Sequence, residues 1–292
     1  MKILVTGGLG FVGSNLIAAL VNKGNTVFCL DNLFTGKNTN RIAKCIYRIG
    51  ETKDICKLFK NDSIDIVYHL GEYSRVEQSY EDVDLVFQYN WAPIYEVIKF
   101  ARQKKAKLVY SGSSTKYGDH GHTKYSSPYA FTKTINSELI KNACEWFDID
   151  YAITYFYNVY GKGEIEKGKY ATVIAKFLHL KKNNAEYLPV TSPGHQKRNF
   201  THIDDIVSGL VLVGMSGSGD GYGIGSNISY SIIELAEMLE MPYKLTKPVK
   251  GNRMFAPVLT DSVKLLGWKE NCNLADYIRT TYTDYKNNKS EL

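Results

Sequence analysis

The chain of 292 residues contains no apolar run long enough to cross a membrane. Stretches such as Ile206 to Met215 reach ten residues and are broken by small positions, against the roughly 20 that a spanning helix needs. Paired cysteines are lacking as well. Cys29, Cys45, Cys56, Cys144 and Cys272 are odd in number, scattered and never in a CxxC pair, which argues against a disulfide framework or a zinc site and leaves ordinary reduced thiols. There is no internal repeat and no low-complexity tract. The opening Met1-Lys2-Ile3-Leu4-Val5 runs straight into a glycine turn without the flanks of a secretion signal, so a cytoplasmic protein is expected. Charge of one sign does not dominate: 36 basic against 30 acidic residues give +6, a balance that favours anionic small molecules without demanding nucleic acid. No nucleic-acid or membrane partner is expected.

What is present is size and order. With 44% hydrophobic residues the chain can bury a sizeable core. Ile3 to Thr6, Thr26 to Leu30, Asp65 to Leu70, Lys107 to Ser111 and Tyr151 to Tyr155 read as strands. Segments near 13–22, 53–60, 83–103 and 129–147 read as the helices between them. This alternation implies a parallel, doubly wound α/β sheet. The basic run Arg102-Gln103-Lys104-Lys105-Ala106-Lys107 falls where a helix ends, a place that suits cations. Beyond Gly161 the pattern loosens into mixed helices and loops, at Thr191 to Gly194 and Ser216 to Gly225, which suggests a smaller substrate lid. Lys286 to Leu292 reads as a frayed tail.

Gly7-Gly8-Leu9-Gly10-Phe11-Val12-Gly13 follows the first strand and opens the first helix. Glycines there let the backbone turn tightly and approach a pyrophosphate, while free helix amides meet its charge. Asp31 ends the second predicted strand, where a carboxylate accepts hydrogen bonds from ribose hydroxyls and repels a 2′-phosphate. The expected cofactor is therefore NAD rather than NADP. Further on, Ser127-Pro128-Tyr129-Ala130-Phe131-Thr132-Lys133 places Tyr129 and Lys133 four residues apart, on one face of a helix that starts at the proline. A cation at about 4 Å and an effective dielectric near 20 contributes roughly 4 kcal/mol, or about three pKa units, enough to make a phenol a base near neutrality.

These motifs, with Ser111 to Gly118, Asn158-Val159-Tyr160-Gly161, Gln196-Lys197-Arg198-Asn199-Phe200 and Leu266-Gly267-Trp268, resemble the extended short-chain dehydrogenase/reductase family, in its nucleotide-sugar epimerase and dehydratase branch. The resemblance implies a Rossmann-type sheet with a smaller C-terminal substrate-binding domain. Residues 1–160 would bind NAD and 161–292 mainly the nucleotide sugar, with a return of the chain to the sheet near 200–227. It implies Ser113 as catalytic hydroxyl, Tyr129 as base and Lys133 as the group bridging the nicotinamide ribose. The cofactor set it implies is Gly7, Gly10, Phe11, Val12, Gly13, Asp31, Asn32, Glu51, Thr52, Leu70 and Gly71, with Tyr129 and Lys133. Ser113, Ser114, Asn158, Arg198 and Arg253 would hold the substrate, the arginines at its diphosphate. Helices 83–103 and 129–147 resemble the pair through which relatives form homodimers. Asp119, His120 and His122 are a loose HxH signal in a polar loop, and no metal is expected.

The mechanism so implied is transient oxidation of a sugar hydroxyl to a ketone. Relatives that eliminate water or decarboxylate carry an acid directly after the catalytic hydroxyl; here Ser114 and Thr115 stand there, which favours 4-epimerisation. Two alternatives stay open: a 4,6-dehydratase that recruits Glu72, and a non-catalytic NAD-binding module. The chain departs from the family pattern at Gly71-Glu72, usually two alanines, at Lys116, where an apolar residue is common, and at Tyr155, where an arginine is usual. Met254-Phe255-Ala256 follows Arg253 in place of an acid that contacts the nucleotide ribose, so the base of the nucleotide is open.

Overall fold

The computed structural model of the protein describes residues 1–281, so the tail 286–292 lies outside the described residues. Seven strands form one sheet. They are β1 Lys2–Thr6, β2 Thr26–Asp31, β3 Cys45–Ile49, β4 Ile66–His69, β5 Lys107–Ser113, β6 Tyr151–Phe156 and, after four short strands outside the sheet, β11 Gly219–Ile224. Those four are β7 Val159–Tyr160, β8 Leu188–Thr191, β9 Lys197–Asn199 and β10 Thr201–His202. The sheet order is β11-β6-β5-β4-β1-β2-β3 and each neighbouring pair is parallel. The central strands are buried almost throughout, as the near-continuous apolar runs require of a sheet covered on both faces.

Helices α1 Phe11–Asn22, α2 Ile55–Leu58, α3 Val83–Val86, α4 Ile94–Lys104, α5 Pro128–Trp146, α6 Val173–Lys182 and α7 Ile203–Ser216 follow in chain order. One apolar cluster joins the sheet to α2, α4 and α5; another joins it to α1 and α7. A third, around Tyr160, Phe177, Leu188 and Leu235, lies in the C-terminal part with α6 and α8 Ile232–Met238. There β9 pairs antiparallel with β12 Ser229–Ser231, and β8 runs parallel to β13 Tyr243–Thr246. Arg102 and Lys104 occupy the last turn of α4, as the basic run suggested. No described helix is long and apolar enough to cross a membrane.

The structure corrects three readings. Ser216 to Gly225, read as a loop, contains the sheet strand β11, and Gly223 shows why glycine is tolerated in it: a Cβ there would lie 2.1 Å from the Leu259 carbonyl. The segment 83–103 is not one helix. It runs through α3, a π-helical stretch Phe87–Trp91 and α4, with Pro93, which has no N–H to donate, at the junction. The helix near 53–60 shrinks to a 3-10 turn, Thr52–Asp54, and the single turn α2. Strand β3 went unread because it is a half-exposed edge of five residues without a clear period.

Candidate active site

Strand order reverses between β1 and β4, and the chain leaves both strands toward the same crevice. Gly7, with φ of 68°, begins the turn after β1; a Cβ on it would stand 2.7 Å from Gly71 Cα at the end of β4. Gly13, inside α1, packs so closely that its Cβ would lie 2.1 Å from the Gly7 carbonyl oxygen. The N-terminus of α1 carries no side-chain cap and no acid in its first turn, leaving its partial positive charge for an anion. Asp31 accepts N–H groups from Leu9 (2.9 Å) and Leu33 (2.7 Å), which fixes its carboxylate beside the glycine turn. Burial raises its pKa above the usual carboxylate value, while the two N–H groups oppose that rise. Asn32 reaches the Glu51 carboxylate at 3.3 Å. This cradle suits a dinucleotide: glycine where Cβ atoms would clash, helix amides for phosphate and a carboxylate for ribose.

Gly7, Gly10, Phe11, Val12, Gly13, Asp31, Asn32 and Glu51 line one cavity of about 930 Å³, together with Thr52, Leu70, Gly71, Ser113, Ser114, Tyr129, Lys133, Asn158, Arg198 and Arg253. The geometry thus brings every candidate residue of the sequence to a single site. Ser113 ends β5, and its Oγ accepts from Thr115 N (3.3 Å) and Thr115 Oγ1 (2.9 Å). Tyr129 and Lys133 rise from the first turns of α5, whose start is set by Pro128 and by Ser127 Oγ accepting from Ala130 N at 3.0 Å. Lys133 has a partner that the Tyr-x-x-x-Lys spacing does not announce. Its ammonium donates to Glu72 and, at 2.7 Å, to the Ser111 carbonyl. Glu72 in turn accepts from Tyr110 Oη (2.9 Å) and Asn136 Nδ2 (2.9 Å), and its side chain is 1% exposed.

Two guanidinium groups mark the other part of the cavity. Arg253 donates to Ser114 Oγ at 3.0 Å, while its buried Nε has no hydrogen-bond partner among the described residues. Arg198 donates to Asn252 Oδ1 and the Lys197 carbonyl; burial, and then the neighbouring charge of Arg253, lower its pKa to about 9. Two half-buried cations that repel one another, one with a buried donor left without a partner among the described residues, favour an anion beside them. The departures at Lys116 and Tyr155 compensate each other. Lys116 pairs with Glu138 (2.9 Å) and Asp220 (3.4 Å), and Tyr155 Oη donates to Asp220 at 2.7 Å. Asp119 accepts backbone N–H groups from Met254 and Phe255, and His120 lies edge-on against Phe255.

Three lining or supporting residues, Arg75, Glu164 and Asn90, had no motif to announce them, and Gln196 stood in a motif without a role of its own. Arg75 donates through Nε and Nη2 to the Tyr170 carbonyl (3.0 and 2.7 Å). Glu164 accepts from Gly161 N at 2.9 Å and from Thr172 Oγ1, yet burial raises its pKa to about 7. Gln196 also lines the cavity, donating to the Thr191 carbonyl at 2.9 Å. Asn90, fully buried in the π turn, accepts from Tyr73 N at 2.6 Å, and its carbonyl receives Asn136 Nδ2 at 2.8 Å. The only available signal was a polar residue interrupting an apolar helical run.

The family profile described as NAD dependent epimerase/dehydratase matches residues 3–225. A putative UDP-glucose 4-epimerase of Methanocaldococcus jannaschii is 27% identical, covering 98% of this chain and 99% of that protein. The human dTDP-D-glucose 4,6-dehydratase is 26% identical over 98% of this chain and 90% of its own. Among solved structures, the UDP-glucose 4-epimerase of Thermus thermophilus in complex with NAD superposes with a TM-score of 0.88 at 22% identity, covering 98% of this chain and 99% of that one. With NAD as its cofactor, and a cradle shaped for that dinucleotide, the chain belongs to the NAD-dependent epimerase/dehydratase family of enzymes.

Proposed function

We propose that the protein is a nucleotide-sugar epimerase that inverts C4 of the sugar through a transient ketone. Gly7, Gly10, Phe11, Val12 and Gly13 would hold the pyrophosphate of NAD, Asp31 and Asn32 its adenosine ribose, Glu51 and Thr52 the adenine, and Leu70 and Gly71 the nicotinamide half. When bound, NAD supplies reversible acceptance of the hydride from C4. The chain does the rest. Tyr129 takes the proton from the C4 hydroxyl and returns it after the sugar has turned its other face; Ser113 orients that oxygen; Lys133 meets the nicotinamide ribose. Asn158, Arg198 and Arg253 hold the diphosphate while the sugar turns, and Ser114 contacts the substrate beside them.

One observation carries the reading: the half-buried Arg198 and Arg253 border the same cavity as Tyr129, an anion site beside a phenol base. The elimination alternative is disfavoured because Arg253 occupies Ser114, Thr115 is turned to Ser113, and the Glu72 carboxylate is saturated by Lys133, Tyr110 and Asn136. Incubation with UDP-, GDP- and dTDP-sugars, followed by chromatography and mass spectrometry, tests it. A new peak of unchanged mass is expected. Loss of one water would make the protein a dehydratase, and no turnover with any sugar, even with added NAD, would favour a binding module.

The assembly that goes with this reading is a homodimer built on α4 and α5. Phe87, Trp91 and Tyr95, each four residues apart, are exposed at 39%, 43% and 61%, beside the exposed Phe131 of α5, an apolar stripe suited to a second copy. Reduced cysteines and a nucleotide-sugar substrate are in keeping with a cytoplasmic setting.

A further inference from the structure

Glu72 carries a carboxylate for which the proposed reaction has no use. It lies just beyond the end of β4, with its side chain 1% exposed, and its carboxylate is enclosed by three elements. From β5, Tyr110 donates its hydroxyl; from α5 come Asn136 and the ammonium of Lys133; from β4, His69 Nε2 stands 3.7 Å away with no hydrogen-bond partner among the described residues. Tyr110 keeps its proton, since burial raises its pKa well above the usual value. His69 is neutral, its pKa lowered by burial to about 4, and its Nδ1 is paired with Thr6 Oγ1 at 2.7 Å. The charge that balances Glu72 is therefore that of Lys133.

An ammonium has three N–H groups. Lys133 gives one to Glu72 and one to the Ser111 carbonyl, so a single N–H is left to face the cavity. We propose that Glu72 is a positioning residue, which anchors Lys133 from the core side and offsets its charge, so that the cofactor ribose meets one N–H and Tyr129 stands above a neutral pair rather than a lone cation. The cations that border the cavity on the side of Tyr129 are then Arg75, whose own surroundings include Glu164, and Arg253. This inference rests on the assignment of Tyr129 and Lys133 under the proposed function.

The test is a spectroscopic titration of Tyr129 that needs neither sugar nor turnover. Tyrosinate absorbance is followed against pH in the parent and in Tyr129→Phe, and again in Glu72→Gln and Glu72→Gln/Tyr129→Phe; each difference isolates Tyr129. Glutamine keeps an acceptor for Lys133 and removes the charge. The ionisation of Tyr129 is expected to move down by about one pH unit, the effect of exposing a buried unit charge at moderate distance. An unmoved ionisation in a folded variant, even one of lower stability or slower turnover, would overturn the proposal. Should Glu72→Gln fail to fold, Glu72→Ala, which removes the carboxylate altogether, gives the same readout. The nucleotide-sugar reading fails separately, by absence of turnover in the parent.

Discussion

The carboxylate of Asp119 receives the backbone N–H of Met254 at 3.1 Å, and through it the loop carrying Arg253 is tied to the segment that follows β5. The same carboxylate takes Phe255 N at 3.1 Å, and Asp119 N donates to the Phe255 carbonyl at 3.1 Å. Asp119→Ala is expected to raise KM for the nucleotide sugar about tenfold, the loss of roughly one net hydrogen bond's worth of preorganisation. NAD affinity, measured by fluorescence titration, should stay where it is, because the glycine turn is untouched. A parallel loss of NAD binding would show that the loop does more than present Arg253.

Lys133 and Tyr129, adjacent on α5, should separate in stability. Lys133→Met leaves the Glu72 carboxylate buried without its counter-charge and is expected to cost about 3–5 kcal/mol. Tyr129→Phe removes a hydroxyl that lines the cavity, and should abolish turnover with less than about 1 kcal/mol of change. Urea unfolding of the two variants beside the parent reads both effects. Equal midpoints for the two would refute the structural weight given to the pair.

Glu164 gives the fold a pH dependence whose sign can be worked out. Its folded pKa is raised to about 7, above the unfolded value near 4.5, chiefly by burial. Between those values the folded chain binds the extra proton, so the stabilisation is full below about pH 4.5 and is lost as pH rises through 7. After discounting for partial exposure, about 1–2 kcal/mol is expected to disappear between pH 5 and 8. Glu164→Gln should flatten that part of the stability curve, as followed by thermal melts across pH. A slope unchanged in the variant would place the titration elsewhere.

The apolar stripe of the π turn and α4 supplies a test of assembly. Trp91→Glu and Tyr95→Glu introduce charge onto an exposed surface, so the isolated fold should tolerate them within about 0.5 kcal/mol. Light scattering should report twice the chain mass for the parent and the chain mass for the double variant. A parent that is already monomeric would remove the dimer from the proposed function.

Much of this architecture is legible in the amino-acid order because its signals are local. The glycine turn at 7–13, the start of α5 at Pro128 and the parallel strands each announce themselves within a few residues. The parts that escape are those decided across the chain. Strand β11 is written in glycines, and only the approach of Leu259 explains why they belong in a sheet. Glu72 is visible as an odd carboxylate, but its partner is Lys133, 61 residues away on another element, and no spacing rule joins them. The gathering of the candidate residues into one cavity likewise follows from the order of strands rather than from any motif.

The π-helical stretch Phe87–Trp91 sets a limit of a different kind, on the length of the chain rather than its composition. A π turn holds one residue more than the α-helical turn it replaces, so deleting a single residue there would let an ordinary helix close. Every side chain before the deletion would then rotate by about 100° relative to α4. Asn90 faces the core toward Tyr73, Thr132 and Asn136, while Phe87 and Trp91 face outward, and the wide turn keeps these two faces in phase. Insertions and deletions in this stretch are therefore constrained even where its individual side chains can vary.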